Sequence, residues 1–203
     1  MRKKRRHLTP DEIKAQLNAI ARENRMADRS PWSAMSIMCP YVIMKCYGFK
    51  GKRIAHIIGK ITEKEEQWLK GEIDLQEVSN FLYEKADWTI EYKQYTETDI
   101  KAKKGSYKHW LDKIQLDPQN RINQHAVRYM LFFFTTLMEE YNFGKERLTK
   151  VEEYMNNLLL EYQQNKTTVH EWHKALLDEA GICIEMPIDP LTQTSGSVMT
   201  GQC

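Results

Sequence analysis

The sequence predicts a mainly α protein built from two similar helical lobes, each of which ends in a short β-strand. Three observations predict this class. Gly and Pro make up only 15 of 203 residues while hydrophobic residues make up 41%, a composition that favours helices over turn-rich β architecture. Apolar residues recur at helical spacing in successive segments. The chain also matches itself at an offset of 94 residues, which indicates an internal duplication.

The first segment, residues 1–29, is expected to hold a basic arm and an N-terminal helix. Residues 1–30 contain nine Lys/Arg against four Asp/Glu, a net charge of +5. Thr9-Pro10-Asp11-Glu12 is a helix-start signal, with Thr9 as N-cap and Glu12 completing a capping box. We expect the helix to run to about Asp28.

Residues 30–92 form the expected first lobe. The segment from Trp32 to Tyr47 is apolar nearly all round, which is typical of a helix in the interior, and Pro40 is expected to kink it. Apolar spacing from Ile54 to Leu69 and from Asp74 to Ala86 predicts two further helices. Alternation from Trp88 to Tyr92 predicts a short strand.

The expected second lobe spans residues 124–186 and repeats this order. Its apolar helix runs from Gln124 to Tyr141, and its candidate strand from Ile182 to Met186. The two apolar helices should form a shared interior, and the two strands could pair across an approximate twofold axis as a small ribbon. Residues 187–203 hold a single charge and many Thr, Ser and Gly residues, so we expect a disordered tail.

The duplication rests on pairs of residues 94 positions apart. Eight of the 46 pairs that begin at Tyr47 and Tyr141 are identical. These pairs are Tyr47/Tyr141, Phe49/Phe143, Arg53/Arg147, Glu77/Glu171, Leu82/Leu176, Ala86/Ala180, Ile90/Ile184 and Glu91/Glu185. The alternative is that two helical segments share their periodicity by chance.

A basic connecting segment, residues 93–123, separates the lobes and holds one of two candidate binding regions. From Lys101 to Lys113 it carries five positive charges and one negative charge. Lysines there can neutralise phosphates, and aromatic side chains can stack on exposed bases. The candidate residues are Lys101, Lys103, Lys104, Tyr107, Lys108 and Trp110, with His109 as a further stacking side chain. The alternative is that Trp110 anchors a helix in the core while the lysines are merely solvated.

The second candidate region is the basic arm. Its candidate residues are Arg2, Lys3, Lys4, Arg5 and Arg6. Such runs attract phosphate backbones without reading sequence. The alternative is a terminus that only increases solubility.

No catalytic signature is present, so we expect a protein that is not an enzyme and binds no cofactor or metal. The common nucleotide-binding, hydrolase and zinc-protease motifs are missing. His170 and His173 could share a helix face and bind a metal, but no third ligand stands at a recognisable spacing. Carboxylates such as Glu63, Glu65 and Glu66 are typical of a solvated helix face.

Residues 54–71 resemble a helix-turn-helix. In that motif the second helix enters the DNA major groove. Here it would present Glu63, Glu65 and Glu66 to phosphates, and the spacing of the turn is off by about one residue. We therefore expect a different structure in this segment.

The sequence also bears on location. The longest apolar run has ten residues, too few to span a membrane, and the basic start is followed by polar residues instead of a signal-peptide core. Four scattered cysteines fit reduced thiols better than disulfides. We expect a cytoplasmic protein, monomeric or homodimeric, without a membrane partner.

A family resemblance covers residues 31–54, about an eighth of the chain, and rests on two short segments. Pro31-Trp32-Ser33-Ala34 followed by Tyr47-Gly48-Phe49-Lys50-Gly51-Lys52-Arg53 resembles a pattern in small helical proteins of Firmicutes phages and prophages. Similar mobile-element proteins include type II anti-CRISPR inhibitors. The resemblance implies a phage-type origin and a bacterial host, and it assigns no functional residue.

Together these features favour a non-catalytic, phage-type or mobile-element-type protein that binds nucleic acid or a nucleoprotein complex. The sharpest form of this hypothesis is an inhibitor of a CRISPR effector such as the Cas9-guide RNA complex. The alternative is a helical protein-protein adaptor or assembly factor that binds no nucleic acid. A third hypothesis, an enzyme that uses His170 and His173, predicts a bound metal.

Overall fold

The computed structural model describes residues 34–90, 94–104 and 106–184. The basic arm, the expected N-terminal helix and the expected tail lie outside the described residues. Six α-helices account for most of the described chain. They are α1 (34–47), α2 (Gly51–Leu69), α3 (Leu75–Ala86), α4 (Tyr107–Tyr141), α5 (Lys145–Gln163) and α6 (Val169–Ala175). The mainly α prediction is confirmed, and no helix of the described residues is long and apolar enough to cross a membrane.

Helix α1 and the second half of α4 form the interior. Ile37, Val42 and Ile43 of α1 are fully buried, as are Phe132 to Phe134 and Leu137 of α4. Both segments are apolar on nearly all sides, so they are stable only where other helices cover them. Helices α2 and α5 each contribute one buried stripe to this cover. The stripe of α2 is Ile54, Ile57 and Ile61, and that of α5 is Leu148, Val151, Met155 and Leu158.

The helix boundaries follow local signals. Asp74, expected as the first residue of α3, is instead its N-cap, and its side chain accepts a hydrogen bond from the Gln76 N–H at 2.9 Å. The Thr168 side chain caps α6 with Glu171 as the reciprocal partner. Helix α1 continues through Pro40. Helix α6 passes directly into a π-helical turn, Leu176–Ala180.

Helix α4 is longer than expected. It begins at Tyr107 behind the N-cap Ser106 and runs for 35 residues. Residues 107–123 of the expected connecting segment are therefore helical and continuous with the apolar helix of the second half. Residues 94–104 remain irregular apart from a 3₁₀ turn, Glu97–Asp99.

The expected strands are not formed in the described residues 88–90 and 182–184; residues 91–93 and 185–203 lie outside the description. Both segments instead contact helices. The buried Trp88 ring lies edge-on to Phe134 at 4.4 Å, and its ring N–H donates to Glu152. The Ile184 N–H donates to Nε2 of His173 at 3.3 Å.

Corresponding helices of the two halves end 94 residues apart, and apart from α1 and α4 they also begin 94 residues apart. Helix α1 ends at Tyr47 and α4 at Tyr141; α2 spans Gly51–Leu69 and α5 spans Lys145–Gln163. The α3 range, Leu75–Ala86, likewise matches α6 together with its π-turn. All six described residues with positive φ form pairs at the same spacing: Gly48/Asn142, Gly71/Asn165 and Asp87/Gly181. Each pair combines a glycine with Asn or Asp, the residues that most readily adopt this left-handed conformation.

Candidate polyanion-binding surfaces

The lysines of the connecting segment lie on the surface at the start of α4. Lys101, Lys103 and Lys104 precede the helix, and Lys108 lies in its first turn. All four are exposed, and within the described residues none lies within 4 Å of a carboxylate. We call these four residues the lysine surface.

The fifth lysine of this stretch has a different role. Lys113 forms an ion pair with Glu97 of the 3₁₀ turn. The hydrogen bond from Lys113 holds the pKa of the Glu97 carboxyl below its usual value. Lys113 is therefore partly neutralised, and the lysine surface retains the local positive charge.

The lysine surface is anchored on both sides. Before it, the side-chain amide of Asn120 in α4 accepts from the Tyr95 N–H and donates to the Tyr95 carbonyl, both at 2.8 Å. After Lys104, the Ser106 hydroxyl accepts from the His109 N–H at 3.1 Å and begins α4, in whose first turn Lys108 lies. The intervening residues are thus held between two fixed points on one helix.

The structure describes the side chains of only some of the residues expected to stack on bases. Tyr107 and Trp110 lie in the first turn of α4, and their side chains lie outside the described ones. His109 is half-buried, and its Nδ1 is buried with no hydrogen-bond partner among the described residues. Arg2, Lys3, Lys4, Arg5 and Arg6 lie outside the described residues.

A second charged surface surrounds the point where the two halves meet. Four rings form a row there, in the order Tyr141, Phe49, Phe143, Tyr47, with neighbouring centroids 4.9, 6.2 and 4.8 Å apart. The Tyr47 hydroxyl donates to the Arg147 carbonyl and the Tyr141 hydroxyl donates to the Arg53 carbonyl, both at 3.2 Å. These ring contacts and hydrogen bonds are reciprocal: what Tyr47 contacts in the second half, Tyr141 contacts at the equivalent positions of the first.

A cationic or titratable side chain accompanies each ring of this row. The Arg53 guanidinium carbon lies 5.2 Å from the Phe49 centroid, and that of Arg147 lies 4.8 Å from Phe143. The outer rings have His56 beside Tyr141, 6.3 Å between centroids, and the Lys150 ammonium 5.6 Å from Tyr47. We call these four rings and four side chains the aromatic-cation cluster.

Sequence reasoning used part of this cluster but did not recognise it as a site. The pairs Tyr47/Tyr141, Phe49/Phe143 and Arg53/Arg147 served only as marks of the repeat. Their identity at a spacing of 94 was the signal available in the sequence. His56 and Lys150 differ in type and gave no such signal.

Only some of the positive or titratable side chains in the aromatic-cation cluster have a carboxylate nearby. His56 Nε2 lies 2.8 Å from a Glu140 carboxylate oxygen. This hydrogen bond lowers the pKa of Glu140. Within the described residues, Arg53, Arg147 and Lys150 have no carboxylate within 4 Å. The Arg147 guanidinium donates to the Asn142 carbonyl, which orients it.

One expectation about acidic residues is wrong. Glu65 is not on a solvated face: both its oxygens accept from Arg128, at 2.7 and 2.8 Å, and the Arg128 guanidinium stacks 3.9 Å from the Trp68 centroid. Helix α2 runs unbroken through Gly59, so there is no turn at that glycine and, as expected, the resemblance to a helix-turn-helix is only one of sequence. Glu63 and Glu66 are exposed as expected.

Of the His170 and His173 pair, His173 has a structural role. His173 is half-buried, and its Nε2 accepts the Ile184 N–H. This bond fixes the chain that follows the π-turn. Within the described residues, no group of three or more His, Cys, Asp or Glu side chains could hold a metal ion.

Comparison of the chain with protein-family models, with curated proteins and with solved structures finds no match. The proposed function therefore rests on the surfaces described above.

Proposed function

We propose that this chain is a non-catalytic, phage-type or mobile-element-type protein that binds nucleic acid or a nucleoprotein complex in the cytoplasm of a bacterial host. One observation carries the proposal. Lys101, Lys103, Lys104 and Lys108 are exposed within eight residues of one another, and none of them is paired with a carboxylate of the described chain. The sharpest form of the proposal is an inhibitor of a CRISPR effector such as the Cas9-guide RNA complex.

Physical chemistry supports a polyanion as partner. Each lysine that neutralises a phosphate releases a condensed counterion, so affinity falls steeply with salt. Lysines already paired with carboxylates would have to give up those partners first. The four unpaired lysines do not bear that cost, and the flanking anchors at Tyr95 and Ser106 reduce the entropy lost when they bind.

The test is fluorescence anisotropy with single-stranded DNA, double-stranded DNA and RNA at 50 and 200 mM salt. In the variant, Lys101, Lys103, Lys104 and Lys108 are all replaced by Gln. We expect it to bind more weakly and to lose up to about 3.6 from the slope of log affinity against log salt, at about 0.9 per phosphate contact on duplex DNA.

The matched control replaces four other exposed lysines, Lys70, Lys85, Lys166 and Lys174, by Gln. These also have no carboxylate partner in the described chain, so the change in net charge is the same. Equal losses in both variants would mean that only net charge matters. Wild-type protein that binds none of the three nucleic acids would refute direct nucleic-acid binding.

The CRISPR form needs its own assay. Target cleavage by a Cas9-guide RNA complex is measured with wild-type protein, the lysine-surface variant and the control variant. We expect inhibition by the wild type and the control, with a loss in the lysine-surface variant. Full cleavage activity with saturating wild-type protein would remove this form of the proposal.

The second candidate function is a protein-protein adaptor or assembly factor, and one surface favours it. Leu160 and Tyr162 of α5 are 52% and 46% exposed. Leu160 lines a hollow of about 400 Å³ between Tyr154 and Gln164, and Tyr162 lies beside it. Exposed apolar side chains around a hollow are typical of protein contacts. Deleting residues 1–7 separates the two functions, because an adaptor should keep its partner while a polyanion binder should weaken.

We further propose that the two halves arose by internal duplication, with lobes at about residues 30–92 and 124–186. The support is the constant spacing of 94 between helix bounds and between left-handed residues, together with the reciprocal tyrosine hydrogen bonds. A chance similarity of two helical segments would give no reason for the contacts between them to be reciprocal.

A further inference from the structure

The aromatic-cation cluster lies at the centre of a positively charged face. Lys50, Lys52 and Arg53 are exposed at the start of α2, whose first turn has no acidic residue. Arg147 and Lys150 are exposed at the start of α5, where Glu146 is the acidic residue of the first turn. None of these five cations lies within 4 Å of a carboxylate among the described residues.

This face repeats its charges about an axis. The Phe49 and Phe143 rings meet at 6.2 Å, and each carries an arginine on its outer side, Arg53 at 5.2 Å and Arg147 at 4.8 Å. The ring contacts and the tyrosine hydrogen bonds fix the backbones that bear these arginines. Both guanidinium groups thus lie at similar distances from equivalent rings before any ligand binds.

We propose that this face binds double-stranded nucleic acid, with Arg53 contacting the phosphates of one strand and Arg147 those of the other. A duplex has two antiparallel backbones related by local twofold axes, so a protein with the same symmetry presents equal contacts to both. A single strand has no such symmetry. The inference rests on the proposed nucleic-acid function and deepens it by naming a second surface and the duplex as its ligand.

The chemistry of the arginines suits phosphate. A guanidinium that stacks on an aromatic ring keeps its N–H edge for planar, bidentate recognition of a phosphate. Arg147 uses one N–H group on the Asn142 carbonyl and has others available. The N-caps of both helices, Lys50 and Gly144, make no side-chain cap hydrogen bond, so the positive ends of the two helix dipoles add to the attraction.

The test compares Arg53→Gln, Arg147→Gln and the double variant, using a 20-bp DNA duplex and a 20-nucleotide single strand of mixed sequence. Gln retains part of the side-chain stem over each ring while removing the charge. We expect each single variant to bind the duplex several-fold more weakly and to lose about 0.9 from the salt slope, with equal effects at the two positions and about twice the loss in the double variant. Single-strand binding should change much less.

The controls are Lys70→Gln and Lys166→Gln, exposed cations that follow the other ends of the same two helices. The double variant Arg53→Lys/Arg147→Lys keeps both charges and should keep the salt slope, which separates loss of charge from loss of packing. Circular dichroism and urea unfolding of each variant check that the fold is intact.

Three results would overturn the inference. The arginine variants could bind the duplex like the controls, they could weaken single-strand and duplex binding equally, or the two positions could contribute unequally. In each case, if the lysine-surface variant still loses affinity for nucleic acid, the proposed function is retained and only this inference fails. Wild-type protein that binds no nucleic acid would overturn both.

Discussion

Arg128 is the one charged side chain classed as buried among the described residues, with 7% of its surface exposed. It donates two hydrogen bonds to Glu65, stacks on Trp68, and contacts Nδ1 of His125 at 2.8 Å. These contacts join α4 to α2. A buried cation is tolerated only with such partners, because removal from water costs several kcal/mol per ion.

Removing the Glu65 charge should therefore destabilise the protein strongly. We expect Glu65→Leu to lower the free energy of unfolding by about 3 kcal/mol, since it leaves Arg128 without its carboxylate. The double variant Glu65→Leu/Arg128→Met should recover most of this loss because no unpaired charge remains. Urea unfolding monitored by circular dichroism measures both values.

The exposed pair Lys60 and Glu63 of the same helix provides the control for this prediction. It has a similar contact distance, 2.8 Å, but lies in solvent, so Glu63→Leu should change the free energy of unfolding by less than about 1 kcal/mol. If Glu65→Leu costs no more than Glu63→Leu, Arg128 is not held as described.

At the scale of elements, the two glycines of α2 should respond in opposite ways to alanine. A Cβ on Gly51 would lie 2.9 Å from the Ala180 carbonyl oxygen, a backbone atom that cannot move without displacing the π-turn. A Cβ on Gly59 would meet nothing within 4 Å. We expect Gly51→Ala to lower the free energy of unfolding by about 1 to 3 kcal/mol.

By contrast, Gly59→Ala should raise the free energy of unfolding by about 0.5 to 1 kcal/mol, because alanine loses less backbone entropy than glycine inside a helix. Thermal unfolding of the two variants beside the wild type checks the pair. The same sign of change for both would contradict the close approach of α2 to the π-turn.

The helices were predictable from the sequence where one apolar stripe dominated. The spacing of Ile54, Ile57 and Ile61 predicted α2, and those residues are its buried ones. The first half of α4 was expected only as the alternative in which Trp110 anchors a helix, because the lysines of this stretch are also typical of a connection. The helix continues through Pro118. A proline removes only one hydrogen bond from a helix, and the apolar second half of this helix is firmly packed.

The strand predictions show what an alternating pattern of apolar and polar residues cannot reveal. Trp88, Thr89 and Ile90 alternate in burial as a strand would. Alternation reports which side chains face the core, not what the backbone pairs with. Here Trp88 packs on α4 and bonds to α5, so the pattern arises without a strand in the described residues.

For the whole molecule, the contact between the halves predicts equal effects at equivalent positions. Tyr47→Phe and Tyr141→Phe each remove one hydroxyl that donates to a carbonyl at 3.2 Å. We expect each to lower the free energy of unfolding by about 0.5 to 1 kcal/mol, with values that agree within about 0.5 kcal/mol. Urea unfolding of the two variants and of the double variant measures this.

Tyr83→Phe serves as the control, since Tyr83 is 57% exposed and should change stability little. Values for Tyr47→Phe and Tyr141→Phe that differ by more than about 1 kcal/mol would contradict the equivalence of the two halves. The sequence predicted that the halves are alike, but not that they would meet through their identical residues, because self-comparison carries no information on contacts.

The length of α4 sets a distance between the two surfaces. Lys108 lies in the first turn and Tyr141 is the last residue, and 35 residues at 1.5 Å each give up to about 50 Å. That length corresponds to roughly 15 base pairs of B-form DNA at 3.4 Å per step. If both surfaces bind one duplex, affinity depends on the length of that duplex. A shorter duplex can bind only one surface at a time, whereas a duplex long enough to bridge both gains the higher affinity of binding at two points.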